Sequence, residues 1–304
     1  MENLTAYWGC MGAAMALTGI LSFFLAREAS ELRSRALQLA LLETLLGAFL
    51  GLLCAKAGYF LVRINYLLGQ GFGPFWISLQ PQEMLFFGGV AGVILAVFLA
   101  AKLSGVHVME ALNRFTPAGA LLLALARFSE YFLGMHGVGE LPEGVESLPF
   151  PLGIGIDFSG DGSYLEPYLA VFMLSGITAL ILAVIAFFRR NSADNLVRTL
   201  FWICLCQIFW ESLRSTSIAW LFVRAEQLIC FLFCEGVLLI RGIGRRPAKG
   251  WFLPALLGLL VCAALVGIEF ALDKTGLPRL LLYSVMILVL GVLAFAERLS
   301  RRTA

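Results

Sequence analysis

ALARFSEYFLG, residues 124–134, sets an arginine and a glutamate, Arg127 and Glu130, inside an otherwise apolar run. Whether that run lies in water or in lipid decides the fold. The whole chain answers: 304 residues, 60% apolar, only 14% charged, with a mean hydropathy of +0.90. A soluble domain is nearer half apolar and a quarter charged. The chain therefore reads as an all-α polytopic membrane protein. Its net charge of +2 carries no message, because placement of charge matters more than the sum in such a protein. Nucleic-acid binding is excluded for the same reason, since the basic residues follow loops rather than a face.

Spans of about 20 apolar residues predict nine crossings, near 5–26, 39–62, 84–101, 117–135, 167–188, 199–213, 223–240, 251–272 and 279–297. The sixth is short. The first has no convincing small-residue cleavage site after it and reads as a span, not a removable signal peptide. One set of connecting loops carries fifteen Lys and Arg residues, among them Arg27, Arg33, Arg35, Arg189, Arg190 and Arg245. The opposite set carries five: Arg63, Arg214, Arg224, Lys274 and Arg279. The positive-inside bias predicts the N-terminus outside and the C-terminus in the cytoplasm.

The loop 136–166 is acidic, with Glu140, Glu143, Glu146, Asp157, Asp161 and Glu166 and no Lys or Arg. Its glycines and prolines, Gly160 and Gly162 among them, predict an irregular lid or cap on the outer face. The seven cysteines all fall in apolar stretches without a CxxC pair, the pattern of small buried hydrophobes. Neither a metal site nor a cofactor is called for. No internal repeat is evident, which weighs against an inverted-repeat transporter.

Ionisable groups at membrane depth cost about 2.5–3.5 kcal/mol each and usually face the protein interior. Lys56, Arg127, Glu130 and Glu211 stand out, with Arg214 at the end of the sixth span. Arg127/Glu130 and Glu211/Arg214 are each spaced i,i+3 and so share a helix face. One reading is ion pairs that fasten the bundle. The other is a polar cavity for an anionic headgroup, since a guanidinium offers phosphate two parallel hydrogen bonds and keeps its charge when desolvated. Small residues recur every fourth position, at Gly47, Gly51 and Ala55 and again at Gly88 and Gly92, a face for close helix packing. The adjacent Gly88 and Gly89 also lie where bare backbone could approach a headgroup.

Four stretches, in order, resemble the prolipoprotein diacylglyceryl transferase family of bacterial inner membranes. GLLCAKAGYFL (51–61) is similar to its second-helix pattern through Lys56, Gly58 and Tyr59. FFGGVAGVILAVFLAAK (86–102) resembles its His-Gly-Gly helix through Gly88 and Gly89. LARFSEYFLG (125–134) resembles its Gly-Arg-x-Gly-Asn-Phe segment, with Arg127 at the arginine. FWICLCQIFWESLR (201–214) resembles its Tyr-Gly-x-x-Arg-Phe-x-x-Glu-x-x-Arg segment, with Glu211 and Arg214 in place. The family's histidine position holds Phe87, its asparagine position Glu130 and its second arginine position Gln207. Its His-Pro-x-Gln-Leu-Tyr-Glu stretch is reduced to LEPYL (165–169).

The resemblance covers about residues 5–240. It implies a seven-span transferase-like core over 1–240, and 241–304 would then be a cytoplasmic linker and a two-helix C-terminal hairpin. It also implies transfer of a diacylglyceryl group from phosphatidylglycerol, or another anionic phospholipid, to the cysteine thiol of a lipoprotein precursor. Arg127, Glu130 and Glu211 are then the candidate catalytic residues: Arg127 on the phosphate, and one of the two glutamates as base. Lys56, Tyr59, Gly88, Gly89, Gln207 and Arg214 are the candidate substrate-binding residues. Of the two histidines, His136 lies at the outer face and could partly replace the missing one, whereas His107 falls in a cytoplasmic loop. Two alternatives stand beside this: a divergent relative that binds lipid or lipoprotein without transfer, and a small-molecule transporter.

Overall fold

A computed structural model describes residues 3–70, 72–158, 164–220, 223–245 and 250–302. Residues 159–163 of the expected lid, with Gly160, Asp161 and Gly162, lie outside the described residues, as do 246–249 of the expected linker and the side chain of Arg245. The chain is mainly helical. Nine long helices match the nine expected spans: α1 (Leu4–Glu28), α2 (Ala36–Val62), α5 (Phe86–Leu103), α6 (Val108–Ser129), α7 (Val171–Phe188), α8 (Asn195–Ser212), α9 (Ala225–Arg245), α10 (Phe252–Lys274) and α11 (Arg279–Arg302). Two short helices, α3 (Ile64–Gln70) and α4 (Phe72–Ile77), fill the connection from α2 to α5.

Among the described residues eight helices are long and apolar enough to cross a membrane, and α8 is the long helix that is not. The expectation of nine apolar spans is corrected at this helix. Asn195, Thr199, Gln207, Glu211 and Ser212 of α8 are all buried inside the bundle. A helix enclosed by other helices answers to their polar groups instead of to lipid tails. On the periphery the opposite holds. Leu17, Ile20 and Phe24 of α1, Leu45 and Phe49 of α2 and Leu288 of α11 are exposed, as a lipid-facing surface requires.

The glycine face predicted on α2 and α5 is where those two helices meet. A Cβ on Gly92 would stand 2.2 Å from the Leu50 carbonyl oxygen, and one on Gly88 would stand 2.6 Å from that of Cys54. Only glycine lets the two backbones approach so closely. A second core forms around Phe201, Ile208, Met286 and Leu293, joining α8 to the C-terminal hairpin α10–α11.

Helix boundaries depart from expectation in two places. α6 begins at Val108, with Pro117 inside it, nine residues before the predicted start of that span. Beyond Ser129 the chain tightens into 3-10 geometry over Glu130–Gly137, with Gly134 at φ 60°. The expected irregular lid contains ordered structure: β1 (Gly153–Asp157) pairs antiparallel with β2 (Leu165–Leu169), and Gly139 bridges to Leu169. LEPYL is therefore a strand, and the fifth helix starts after it. A second small hairpin joins β3 (Ala219–Trp220) to β4 (Val223–Arg224) just before α9.

Candidate functional site

A cavity of about 610 Å³ lies among α1, α2, α5, α6, α8 and α9. Arg127, Glu130, Glu211, Arg214 and Glu226 line one end of it, with Tyr7, Tyr59, Arg63 and His136 nearby. Its walls are apolar, among them Met15, Gly51, Val93, Leu123 and Ile203.

The charged end is one connected network. Arg127 is 1% exposed; its Nη1 donates to Glu130 Oε1 at 2.5 Å. Arg214 Nη2 donates to the other oxygen of the same carboxylate. Arg214 Nε approaches Glu211 Oε2 at 3.8 Å, and Gln207 Nε2 donates to that oxygen at 3.0 Å. The i,i+3 pairs read from the sequence are both formed, and Glu130 links them across helices. On the other edge of the Arg127 guanidinium, Nε and Nη2 have no hydrogen-bond partner among the described residues. Its carbon sits 3.5 Å from the centroid of the Phe86 ring, a cation–π contact that supports the group from one face.

Glu226, in the first turn of α9, faces the start of α5. Its two oxygens accept the backbone N–H groups of Phe86 at 2.6 Å and Phe87 at 3.2 Å. No side chain of α5 caps that end, so a carboxylate from another helix takes over the free donors and meets the positive end of the helix dipole.

Along the cavity the charged end gives way to hydrocarbon and then to polar groups again. Thr116 on α6, Thr199 on α8 and Glu43 on α2 all line it. Thr116 lies eleven residues before Arg127, and Thr199 twelve before Glu211, which is about 16–18 Å along a helix. Glu43 is 4% exposed, and its Oε2 has no hydrogen-bond partner among the described residues.

The profile of the family described as prolipoprotein diacylglyceryl transferase matches residues 4–241. The chain belongs to the prolipoprotein diacylglyceryl transferase family. Similarity extends to the phosphatidylglycerol–prolipoprotein diacylglyceryl transferase 1 of Clostridium perfringens (strain 13 / Type A), 23% identical over 209 residues, which are 66% of this chain and 77% of that protein. Membership of a transferase family stands against the transporter alternative.

Of the five charged groups that stand out in the sequence, four come together. Arg127, Glu130, Glu211 and Arg214 meet; Lys56 does not join them. Its Nζ donates to the Phe75 carbonyl oxygen at 2.8 Å and to Glu83 Oε2 at 3.0 Å, and lies 4.4 Å from the Phe75 ring centroid. The connection between α2 and α5, which hydropathy passed over, holds that cation away from the cavity. Gly88 packs against Cys54 and Ala55, whereas Gly89 lines the cavity. Tyr59 lines it too, stacked on Phe75 with centroids 5.8 Å apart. Gln207 lies behind Glu211 as its hydrogen-bond donor.

For this transferase family member, sequence reading passed over Glu43 and Glu226, both cavity-lining, and Glu269 behind the site. Each is a carboxylate inside an apolar run, the same signal that singled out Glu130 and Glu211. All seven cysteines are free thiols, and among the described residues no group of three or more His, Cys, Asp or Glu is placed to hold a metal ion.

Proposed function

We propose that this chain transfers a diacylglyceryl group from phosphatidylglycerol to the cysteine thiol of a lipoprotein precursor, in the inner membrane of a bacterium. Residues 1–240 form the transferase core, and 241–304 add a linker and hairpin; the end of the family match at residue 241 supports that division. The positive-inside count supports a cavity whose charged end faces the exterior, with the C-terminus in the cytoplasm.

One observation carries the reading. Arg127 lines the cavity of about 610 Å³, and its buried Nε–Nη2 edge has no hydrogen-bond partner among the described residues. Those two donors point side by side, the fork that phosphate oxygens fit. Arg127 is the phosphate clamp. Phe86 and Glu130 hold its plane, and Arg214 keeps Glu130 from neutralising it alone. The apolar walls take an acyl chain, and the roughly 16–18 Å from Arg127 and Glu211 down to Thr116 and Thr199 is about half the ~30 Å hydrocarbon core, the reach of a chain from one leaflet.

Glu211 is the proton acceptor. Both oxygens of Glu130 are bound by guanidinium groups and both oxygens of Glu226 by backbone N–H groups. Glu211 keeps Oε1 for the incoming thiol. Proton transfer leaves a thiolate, the nucleophilic form of cysteine. Its sulfur attacks the glyceryl carbon that bears the phosphate. The C–S bond forms, and the C–O bond breaks with its electron pair moving to the phosphate oxygen. Glycerol phosphate departs against Arg127, which stabilises the charge as it develops. Phe87 offers no titratable group at the histidine position of the family pattern, and the cavity-lining His136 is the imidazole nearest to hand.

Purified protein, phosphatidylglycerol in mixed micelles and a lipobox peptide test the reading. A thioether product on the peptide, released together with glycerol phosphate, is expected. Phosphatidylglycerol binding without product would instead favour the non-transferring relative, the reading that Phe87 and Gln207 prompt.

A further inference from the structure

The C-terminal hairpin lies beyond the residues matched by the family, yet it reaches the back of the charged cluster through one carboxylate. Glu269, near the end of α10, accepts a hydrogen bond from Gln227 Nε2 at 2.7 Å and another from Ser212 Oγ on the same oxygen. Its second oxygen pairs with Arg224 Nε at 3.5 Å. Arg224 Nη1 in turn donates to the carbonyl oxygens of Glu211 and of Arg214, the latter at 2.9 Å. The Glu211 carbonyl belongs to the last turn of α8 and the Arg214 carbonyl lies just past it, where the negative end of the helix dipole favours a cation.

The chain of contacts has a direction. α8 carries Glu211 on its last turn and Arg214 two residues past its end at Ser212, and a helix end frays unless its carbonyls are satisfied. Arg224 bonds the Glu211 carbonyl of that end and the Arg214 carbonyl just beyond it, but a guanidinium there needs its own counter-charge in a low-dielectric setting. No carboxylate on α8 or α9 pairs with Arg224 among the described ion pairs; Glu269 on α10 does. Gln227 closes the network by standing within hydrogen-bond distance of Ser212 Oγ at 2.7 Å and the Ile208 carbonyl at 3.1 Å. Met286 of α11 adds its sulfur 3.3 Å from Ser212 Oγ. Both helices of the hairpin therefore bear on the turn that presents Glu211 and Arg214.

We propose that Glu269 is a positioning residue for the transfer reaction, acting through Arg224 and Ser212 to hold the last turn of α8 so that Glu211 and Arg214 keep their place in the cavity. It rests on the transferase reading above. The accessory hairpin then completes the site, in addition to any part it has in anchoring the chain. Since Arg127 is held by Glu130 and Phe86 on other elements, loss of the brace disturbs proton transfer more than lipid binding.

The experiment compares full-length protein with Glu269→Gln, Glu269→Ala, Arg224→Ala and the Arg224→Ala/Glu269→Ala pair, in lipobox-peptide transfer and in thermal unfolding in detergent. Glu269→Gln keeps an acceptor for Ser212 and Gln227 and removes the charge facing Arg224. Its unfolding midpoint should drop only slightly, since both partners of the broken pair are partly exposed, while kcat per folded protein falls about tenfold and the KM for phosphatidylglycerol stays within about twofold. The double variant should lose no more than the worse single one, the non-additivity of residues acting in series. Unchanged kcat in Glu269→Gln, or losses that track only the amount of folded protein, would overturn the positioning role while leaving the transferase reading intact. Absence of transfer by the unaltered protein would instead overturn that reading, and the positioning role with it.

Discussion

The guanidinium of Arg127 lies over the Phe86 ring, its carbon 3.5 Å from the ring centroid, so the first residue of α5 supports a cation that α6 supplies. Desolvated cation–π contacts contribute about 2 kcal/mol. Phe86→Ala should weaken phosphatidylglycerol binding by roughly tenfold, and Arg127→Lys by more, because an ammonium lacks the planar fork. Lipid affinity measured on folded, detergent-extracted protein checks both. Equal affinity for Arg127→Lys would sink the clamp assignment.

Lys56 should behave differently from Arg127. Its ammonium is engaged by Phe75 and Glu83, so Lys56→Met is expected to leave the KM for phosphatidylglycerol within about twofold while lowering the unfolding midpoint, as loss of a buried paired charge does. A large rise in KM with unchanged stability would return Lys56 to the lipid site.

Gly88 and Gly89 separate packing from access. A methyl on Gly88 meets backbone oxygen at 2.6 Å, whereas one on Gly89 finds its nearest atom at 3.6 Å. Gly88→Ala is therefore expected to destabilise by about 1–3 kcal/mol, the range for overpacking, and Gly89→Ala to be tolerated in stability. Unfolding midpoints of the two variants, side by side, decide it.

Glu226 caps α5 from a distance in sequence of 140 residues. Glu226→Ala leaves the N–H groups of Phe86 and Phe87 without acceptors and should reduce stability by about 1–2 kcal/mol, as removal of a helix cap does. Glu226→Gln, which keeps an acceptor but no charge to meet the helix dipole, should recover part of the loss. Equilibrium unfolding with a midpoint equal to the parent protein's would show that the cap is dispensable.

Glu43 forms a polar floor under an apolar chamber. An acyl chain long enough to reach it presents a methyl end to an unpartnered carboxyl oxygen. Glu43→Leu is expected to shift transfer towards longer acyl chains by about tenfold, equivalent to roughly 1.4 kcal/mol, and Glu43→Gln to leave the preference near that of the parent. Mass spectrometry of the lipidated peptide, made from a mixture of chain lengths, reads the outcome. An unaltered length profile in Glu43→Leu argues against a floor at this residue.

Much of the architecture is legible in the residues alone because lipid imposes a coarse rule: apolar runs long enough to span, and charges kept inside. That rule locates the nine long helices, and the i,i+3 pairs place Arg127 with Glu130 and Glu211 with Arg214. It misjudges the character of α8, whose polar residues are shielded by neighbouring helices and so need no apolar exterior. It also misses the segment between α2 and α5, where short helices carry the groups that divert Lys56.

The order of residues is enough to say which side chains are too costly to face lipid, and therefore that Arg127, Glu130, Glu211 and Arg214 must turn inward. Helix packing selects which of them share one network, sets Lys56 apart, and brings Glu226 and Glu269 to the site from other helices. The physical reason is range. Hydropathy and helical periodicity act between neighbours along the chain, whereas a guanidinium chooses its carboxylate across gaps such as the 84 residues from Glu130 to Arg214. That choice exists only once the helices have packed.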